Sequence, residues 1–585
     1  MCRLLALAVE GPLIAITMSD LIERARQWIA GDPDPETRAE LQALIDAGDE
    51  AALADPLGDS LTFGTAGIRG VVGAGPSRMN RAVIIRTTYG LAQHLIATEG
   101  RHPARPVIVG FDARPTSRRF AQDTAGVLAA AEIPVIYFPE VTPTPLVAFA
   151  AKHLDAAAAV VVTASHNPPA DNGYKVYGPD AAQIVPPVDI EIQKAIETAP
   201  PAVQIARVES PFEDDAELVR PVPGNIIDSY WEEVAATRSR GSGSSLGIIY
   251  TPIHGVAGDL LLDVMSRAGH RGVTVVPEQA EPDGAFPTVS FPNPEEPGAL
   301  DRAIDLATAR ESDLVIANDP DGDRLAAVIP SNGDWRRLSG NEVGLMLADY
   351  ILAHRQSQRR AIVASSIVSC PMLGSIAAKY DAHHAVTLTG FKWIVRAGLA
   401  LESQGVGEFV FGYEEALGYT VGSTVRDKDG ISAALIFTDL VADLADEGLS
   451  VLDHLSRLWD EHGLWVSAQT SISRPGADGL AELEAAVERL ADDPPEMIGD
   501  RPITALVDYR RHADQRPPWL GEQALVAMEL GDGERVLVRP SGTEPKLKIY
   551  VDLKGTVSGD PVNQQAELEA RAAELGETLR RDLGF

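Results

Sequence analysis

The sequence predicts an α/β protein of about four domains whose strand-end loops meet at one cleft. Three observations lead there. At ~150 residues per domain, 585 residues divide into about four. Three stretches, AAAAVVVTASHNP (156–168), DLVIANDPDGDR (313–324) and EFVFGYEEALGY (408–419), each run a continuous apolar strand into a polar loop holding Gly or Pro. Such runs, flanked by helical patterns, suit parallel strands buried on both faces, and the ligands of such sheets gather at the carboxyl ends of the strands. The last segment differs: ALVAMEL, GDGERVLVRPSG and TEPKLKIYVDL are short strands joined by tight turns and followed by a helical stretch from Asn563 to Leu583, an α+β pattern.

Composition bounds what the protein does. With 45% hydrophobic and 23% charged residues it can fill several cores, which excludes a disordered chain. Fifty Lys+Arg against 84 Asp+Glu leave a net charge of −34, which argues against nucleic acid or an anionic membrane as partner. A phosphate-bearing substrate then needs local cations. Two cysteines, Cys2 and Cys370, are too few for a disulfide framework, so a reducing, cytoplasmic setting is expected.

Residues 1–17 hold an apolar run after Arg3, but Glu10, Gly11 and Pro12 interrupt it and no A-x-A cleavage site follows. It reads as an N-terminal extension or a mis-assigned start, with Met18 as the other candidate. Ser19 is then the expected N-cap of DLIERARQWI, where Leu21, Ile22, Ala25, Trp28 and Ile29 recur at helical spacing. Pro- and Gly/Ser-rich stretches near 199–225, 330–340 and 465–480 are the expected breaks, giving domains over 18–222, 223–335, 336–465 and 466–585. GSGSS (241–245) directly precedes the strand LGIIY and reads as a loop inside the second domain.

TASHNPPADNGYKVYG (163–178) carries the sharpest chemistry. Ser165 ends a buried strand, and a serine hydroxyl becomes a nucleophile only beside a base in an electropositive setting, which His166 and Lys175 supply. In NDPDGDR (318–324), Asp319, Asp321 and Asp323 alternate on a turn, so three carboxylates converge on one hard cation such as Mg²⁺. Gly322 stands fourth from Asp319 rather than sixth, which excludes an EF-hand. Arg324 adjoins the carboxylates and suits the phosphate that the metal polarises. VRPSGTEPKLKIY (538–550) gathers Arg539, Ser541, the backbone of Gly542 and Thr543 into a phosphate nest, with Lys546 and Lys548 close by. GYEEALGY offers Glu414 and Glu415 to vicinal sugar hydroxyls, while Lys392, Arg426 and Lys428 suit the anionic end of a substrate. FGTAGIRG (63–70) is a close-approach glycine loop around one cation, Arg69.

These motifs stand in the order and spacing of the α-D-phosphohexomutase superfamily, and the chain resembles its phosphoglucomutase/phosphomannomutase members over residues 60–555. FGTAGIRG, DNGYKVYG, LTGFKW and GYEEALGY are similar to the branch that also contains phosphopentomutases and sugar-1,6-bisphosphate synthases. The resemblance implies three related α/β domains with mixed sheets plus a C-terminal α+β domain, around a central cleft. It implies an Mg²⁺-dependent mutase that interconverts hexose 1- and 6-phosphates, glucose and/or mannose, with a hexose 1,6-bisphosphate as primer. Ser165 would carry the phosphoryl group and, with Asp319, Asp321 and Asp323, hold the metal. His166 and Lys175 would serve as acid and base, and Arg69 and Arg324 would steady the transferring group. Glu414 would read the sugar, and Arg539, Ser541, Gly542 and Thr543 would grip the phosphate not reacting. The bisphosphate must turn end for end, and a hinged fourth domain would exclude water meanwhile. The partner is then a small sugar phosphate, and the chain a monomer or weak dimer. Many glucose and mannose members have serine where this chain has Ala416, so phosphopentomutase stands as the alternative, with bisphosphate synthase behind it.

Two rival readings are distinguishable. Asp319-Pro-Asp321-Gly is similar to the haloacid-dehalogenase nucleophile motif, in which Asp319 rather than Ser165 would carry phosphate. A non-catalytic sugar-phosphate-binding protein would need no nucleophile, metal and base together.

Overall fold

The structure is a computed structural model that describes residues 17–213, 217–474, 477–540, 546–559 and 561–585. The chain opens with helix Met18–Gly31. Its cap is Thr17 rather than the expected Ser19, because Asp20 at the third helical position bonds back to Thr17 while the Thr17 hydroxyl accepts from the Asp20 N–H. With helices Pro35–Ala47 and Glu50–Ala54 it closes a small core of Leu21, Ala25, Leu41, Leu53 and Leu57.

The first large sheet has six strands in the order Ile68–Val71, Asp171–Tyr177, Ala158–Val162, Val107–Phe111, Val135–Tyr137, Val219–Pro221. It is mixed: Asp171–Tyr177 runs antiparallel to both neighbours, and the rest pair in parallel. Every residue of Ala158–Val162 is buried. Ala158, Val160 and Val162 face the core under helices Arg81–Glu99 and Ser117–Ala130, whereas Ala159 and Val161 face helix Thr144–His153. Burial on both faces is why the run is apolar without alternation.

The second sheet orders Asp334–Arg337, Ala326–Ser331, Leu314–Ala317, Ile248–Thr251 and Val273–Val275; the third orders His383–Thr387, Ala361–Ser366, Glu408–Glu414 and Gly418–Val421. Both are mixed. Helix Gly258–Ala268 of the second packs on helix Gly430–Asp446 of the third, and their apolar side chains form one continuous core. The fourth unit is an all-antiparallel sheet of Leu464–Ser473, Lys546–Gly555, Glu534–Pro540, Val526–Gly531 and Ala505–Asp508 with helices Ala477–Asp492 and Pro561–Asp582.

Two expected breaks are strands. In 330–340, Asn332 and Gly333 both have positive φ, 51° and 83°, the signature of a type I′ hairpin turn, so Asp334–Arg337 folds back on the second sheet. A boundary at 335/336 therefore cuts a strand. In 465–480, residues Leu464–Ser473 pair along their whole length with Lys546–Gly555, so the fourth sheet already begins at 464. Among the described residues no helix is long and apolar enough to cross a membrane.

Candidate active site

Ser165 follows the buried strand Ala158–Val162 in the left-handed region, φ 50°. Its N–H donates to Thr163 Oγ1 at 2.8 Å. Its hydroxyl donates to Asp319 Oδ2 at 2.8 Å and lies 3.1 Å from His166 Nδ1. Burial, then Arg324 and Arg69, push His166 well below the ordinary imidazole range, so the ring is neutral at pH 7. Arg69 donates to Asn167 Oδ1 at 2.9 Å. Its loop reaches the serine loop because Gly67, at φ 78°, has no Cβ; one would stand 1.8 Å from the Tyr174 carbonyl.

Opposite Ser165 stand the carboxylates of Asp319 (0% exposed), Asp321 (0%) and Asp323 (1%), which each offer an oxygen within 4.8 Å of the others. Lys175 Nζ bridges two of them, 2.6 Å from Asp321 and 3.0 Å from Asp323, and Thr144 Oγ1 donates to Asp321 at 2.8 Å. Burial alone would lower Lys175, but Asp321 and Asp323 outweigh it and hold its pKa above the ordinary value. Burial and the neighbouring Asp321 and Asp323 raise Asp319 well above the ordinary carboxyl range. Asp321 Oδ1 and Asp323 Oδ1 are buried with no hydrogen-bond partner among the described residues. Buried acceptors are rarely left orphaned, and two aimed into one acidic pocket fit a bound cation.

Lys428 and Arg426, expected at a substrate's anionic end, are placed otherwise. Lys428 Nζ sits 3.2 Å from Asp323 and 3.4 Å from Asp427, inside the acidic cluster. Arg426 Nη1 donates to the Asp180 carbonyl at 2.7 Å, bracing the third domain on the first. Lys392 reaches Thr65 Oγ1 in the FGTAGIRG loop, and burial lowers its pKa to about 8. The paired glutamates divide. Glu415 accepts from Ser366 and Ser369, both at 3.1 Å, whereas the Glu414 carboxylate accepts no hydrogen bond among the described residues and burial, partly opposed by Lys428, raises its pKa to about 7. The metal and glutamate loops are bonded directly: Leu325 N–H donates to the Leu417 carbonyl at 3.1 Å.

Arg539 is the penultimate residue of strand Glu534–Pro540, its buried Nε without a partner among the described residues. Ser541, Gly542 and Thr543 lie outside the described residues. A cavity of about 300 Å³ lies where the fourth domain meets the second and third, lined by Glu295, Ser339, Glu415, Gln469 and Tyr550. Sequence reasoning missed Arg114, Thr144, Glu295 and Asp427. Arg114 stands in FDARPTS, one more apolar strand running into a polar loop, and that shared architecture was its available signal. Asp427 accepts from Tyr177 at 2.7 Å and Gln183 at 3.0 Å, from another domain altogether.

Four models described as phosphoglucomutase/phosphomannomutase domains match in order: alpha/beta/alpha domain I over residues 60–202, II over 227–333, III over 339–462 and the C-terminal domain over 480–571. The chain is 38% identical over 509 residues to a probable phosphomannomutase of Haemophilus influenzae, spanning 86% of this chain and 98% of that one. It is 34% identical over 577 residues to a phosphopentomutase of Mus musculus, spanning 94% and 93%. The open form of parafusin, a phosphoglucomutase from Paramecium, shares the fold with a TM-score of 0.66 at 17% identity, over 89% of this chain and 96% of that one. The protein is thus an enzyme of the phosphomutase class. The chain belongs to the phosphoglucomutase/phosphomannomutase family, in the part of it that also holds phosphopentomutases.

Proposed function

We propose that the enzyme moves a phosphoryl group between the two ends of a sugar phosphate, with Ser165 as the covalent carrier. The observation that carries this reading is the Ser165 hydroxyl 2.8 Å from Asp319, across from a carboxylate pair clamped by Lys175. Asp319, Asp321 and Asp323 would hold Mg²⁺ with the Ser165 oxygen. When bound, the ion supplies neutralisation of charge at the transferring group. Charge supports the pairing. Three carboxylates face Lys175, Lys428 and Arg324, and a dication added to that balance is offset by a phosphoserine of roughly −1.5 to −2.

The chain's own residues supply the rest. Neutral His166 takes a proton beside Ser165, and protonated Lys175 returns one or steadies the phosphoryl oxygens. Arg69 and Arg324 stabilise the charge that spreads over those oxygens. The Glu414 carboxylate, left without a hydrogen bond from the described residues, accepts from sugar hydroxyls, and Arg539 with the 541–543 loop holds the far phosphate. The sugar bisphosphate formed after the first transfer reverses, and its other phosphate returns to Ser165.

For the sugar, two observations support a pentose: Ala416 lacks the hydroxyl that many hexose members carry, and relatives matched over nine-tenths of this chain include phosphopentomutase and phosphoribomutases. We therefore propose pentose 1- and 5-phosphates as preferred substrates. The hexose reading stands second, on the 38% identical phosphomannomutase. A panel of ribose, deoxyribose, glucose and mannose phosphates, each primed with its bisphosphate, tests both; no turnover of any would overturn the mutase reading.

A further inference from the structure

A guanidinium has five N–H donors, and the structure gives each one on Arg114 an acceptor. Nη2 donates to the carbonyls of Ser165 at 2.9 Å and Asn167 at 2.7 Å, Nη1 to those of Pro168 at 2.6 Å and Asp171 at 2.9 Å, and Nε to Asp112 Oδ2 at 3.2 Å. Four of the five acceptors thus belong to one loop, the one that presents Ser165. The side chain is 1% exposed, so these bonds form without competition from water. An L residue adopts the left-handed φ of Ser165 only when its surroundings impose it. Here Thr163 holds its N–H and Arg114 holds its carbonyl.

Arg114 is itself seated by the second domain. Its guanidinium lies 5.2 Å from the Phe286 ring centroid, and a Cβ on Gly284 would stand 2.4 Å from the Arg114 Cα, so this approach requires glycine. A few residues on, Phe291 meets the His166 ring edge to face, centroids 6.3 Å apart. The segment 284–291 therefore rests on both the arginine and the neighbour of the nucleophile.

We infer that Arg114 is the positioning residue of the Ser165 loop, and that the second domain's Gly284–Phe291 segment seats it. Arg114 acts through four carbonyls rather than on substrate, so its loss displaces the hydroxyl without weakening the sugar's contacts. Lysine cannot replace it: an ammonium has three donors on one atom and cannot reach acceptors spread around the loop. The inference rests on Ser165 as phosphoryl carrier.

The test uses the full-length enzyme. In Arg114→Lys, kcat falls about a hundredfold, the cost of a misplacement near 1 Å, with KM within threefold of wild type. Backbone amides of residues 164–167, 170 and 171 exchange hydrogen at least tenfold faster. Phe286→Leu, which leaves the ion in place and removes the ring, lowers kcat five- to tenfold at unchanged KM and keeps the test open should the arginine variant not fold. Retention of kcat within threefold in both variants, or a loss carried by KM, overturns the inference. A wild-type enzyme with neither turnover nor phosphate on Ser165 overturns the mutase reading instead, and the amide exchange of Arg114→Lys still reports whether this side chain fixes the loop.

Discussion

Replacing Ser165 by Ala removes the proposed phosphoryl carrier, the hydroxyl that donates to Asp319 and lies beside His166 Nδ1. Turnover should fall by at least about a thousandfold, as expected for loss of a nucleophile, and the intact mass should lose the species heavier by ~80 Da that the added phosphate gives wild type. Mutase activity within tenfold of wild type would refute the assignment. Asp321→Asn removes a ligand charge while keeping the shape that bonds Thr144 and Lys175. Its Mg²⁺ requirement should rise and its kcat drop, and a chelator should reproduce the defect in wild type; activity that survives exhaustive metal removal would make the triad a structural acidic turn. Glu414 gives a pH prediction whose sign is fixed by burial. Its pKa is raised to about 7, so below that it is protonated and accepts fewer sugar hydroxyls, and KM should climb as pH falls from 8 to 6. Glu414→Gln, neutral throughout, should flatten that dependence; a wild-type KM constant over this range would leave the carboxylate without a role in binding. Ser165, Lys175 and the aspartates were legible because each group sits in one short motif. Arg114 and Asp427 were not: FDARPTS marks a strand-end loop, but the carbonyls Arg114 binds and the groups that donate to Asp427 lie 51–57 and 244–250 residues away, and no local pattern announces such a pairing.

At the scale of elements, the strands that end in loops were readable because burial on both faces leaves an unbroken apolar run. The hairpin at Asn332-Gly333 and the strand Leu464–Ser473 were misread as linkers. Gly, Asn, Ser and Pro punctuate a tight turn as well as a linker, and the two differ only in whether the following strand finds a partner. Leu464–Ser473 also alternates buried and exposed side chains only imperfectly, as an edge strand covered by helix Pro561–Asp582 does. Glycine spacing in FGTAGIRG was readable as close approach, and the structure shows what is approached. Gly67→Ala should cost more than ~1 kcal/mol, since a positive φ is lost along with clearance to the Tyr174 carbonyl. Because the loop carries Arg69 and meets Lys392 through Thr65, kcat should fall with stability. Thermal melting and turnover on one preparation check this; an unchanged melting temperature would show that the loop relaxes freely.

On the proposed function, sugar choice belongs to the whole molecule, because the two phosphates of a substrate would be held by different domains. Ser165 and the aspartates belong to the first and second, Glu414 to the third, and Arg539 to the fourth. Helix Val451–His462 passes into strand Leu464–Ser473 through Gly463 alone, at φ 95°, while Ile367 and Val368 of the third domain pack with Leu525, Leu537 and Tyr550 of the fourth in one buried cluster. A pentose 5-phosphate is one carbon shorter than a hexose 6-phosphate, which asks the fourth domain to close further for Arg539 to reach the distal phosphate. Such a closure would have to repack that buried cluster, and the enclosure it gives would also protect phosphoserine from water. Sugar hydroxyls bonded to Glu414 would not by themselves separate the two classes. The expected outcome is that kcat/KM for ribose or deoxyribose 1-phosphate exceeds that for glucose and mannose 1-phosphates by more than tenfold, a transition-state difference of about 1.4 kcal/mol. Glucose and mannose, which differ only at C2, should fall close together. A tenfold preference for either hexose would instead assign the enzyme to hexose phosphates, and Ala416→Ser should then widen that preference, since it supplies the hydroxyl this chain lacks.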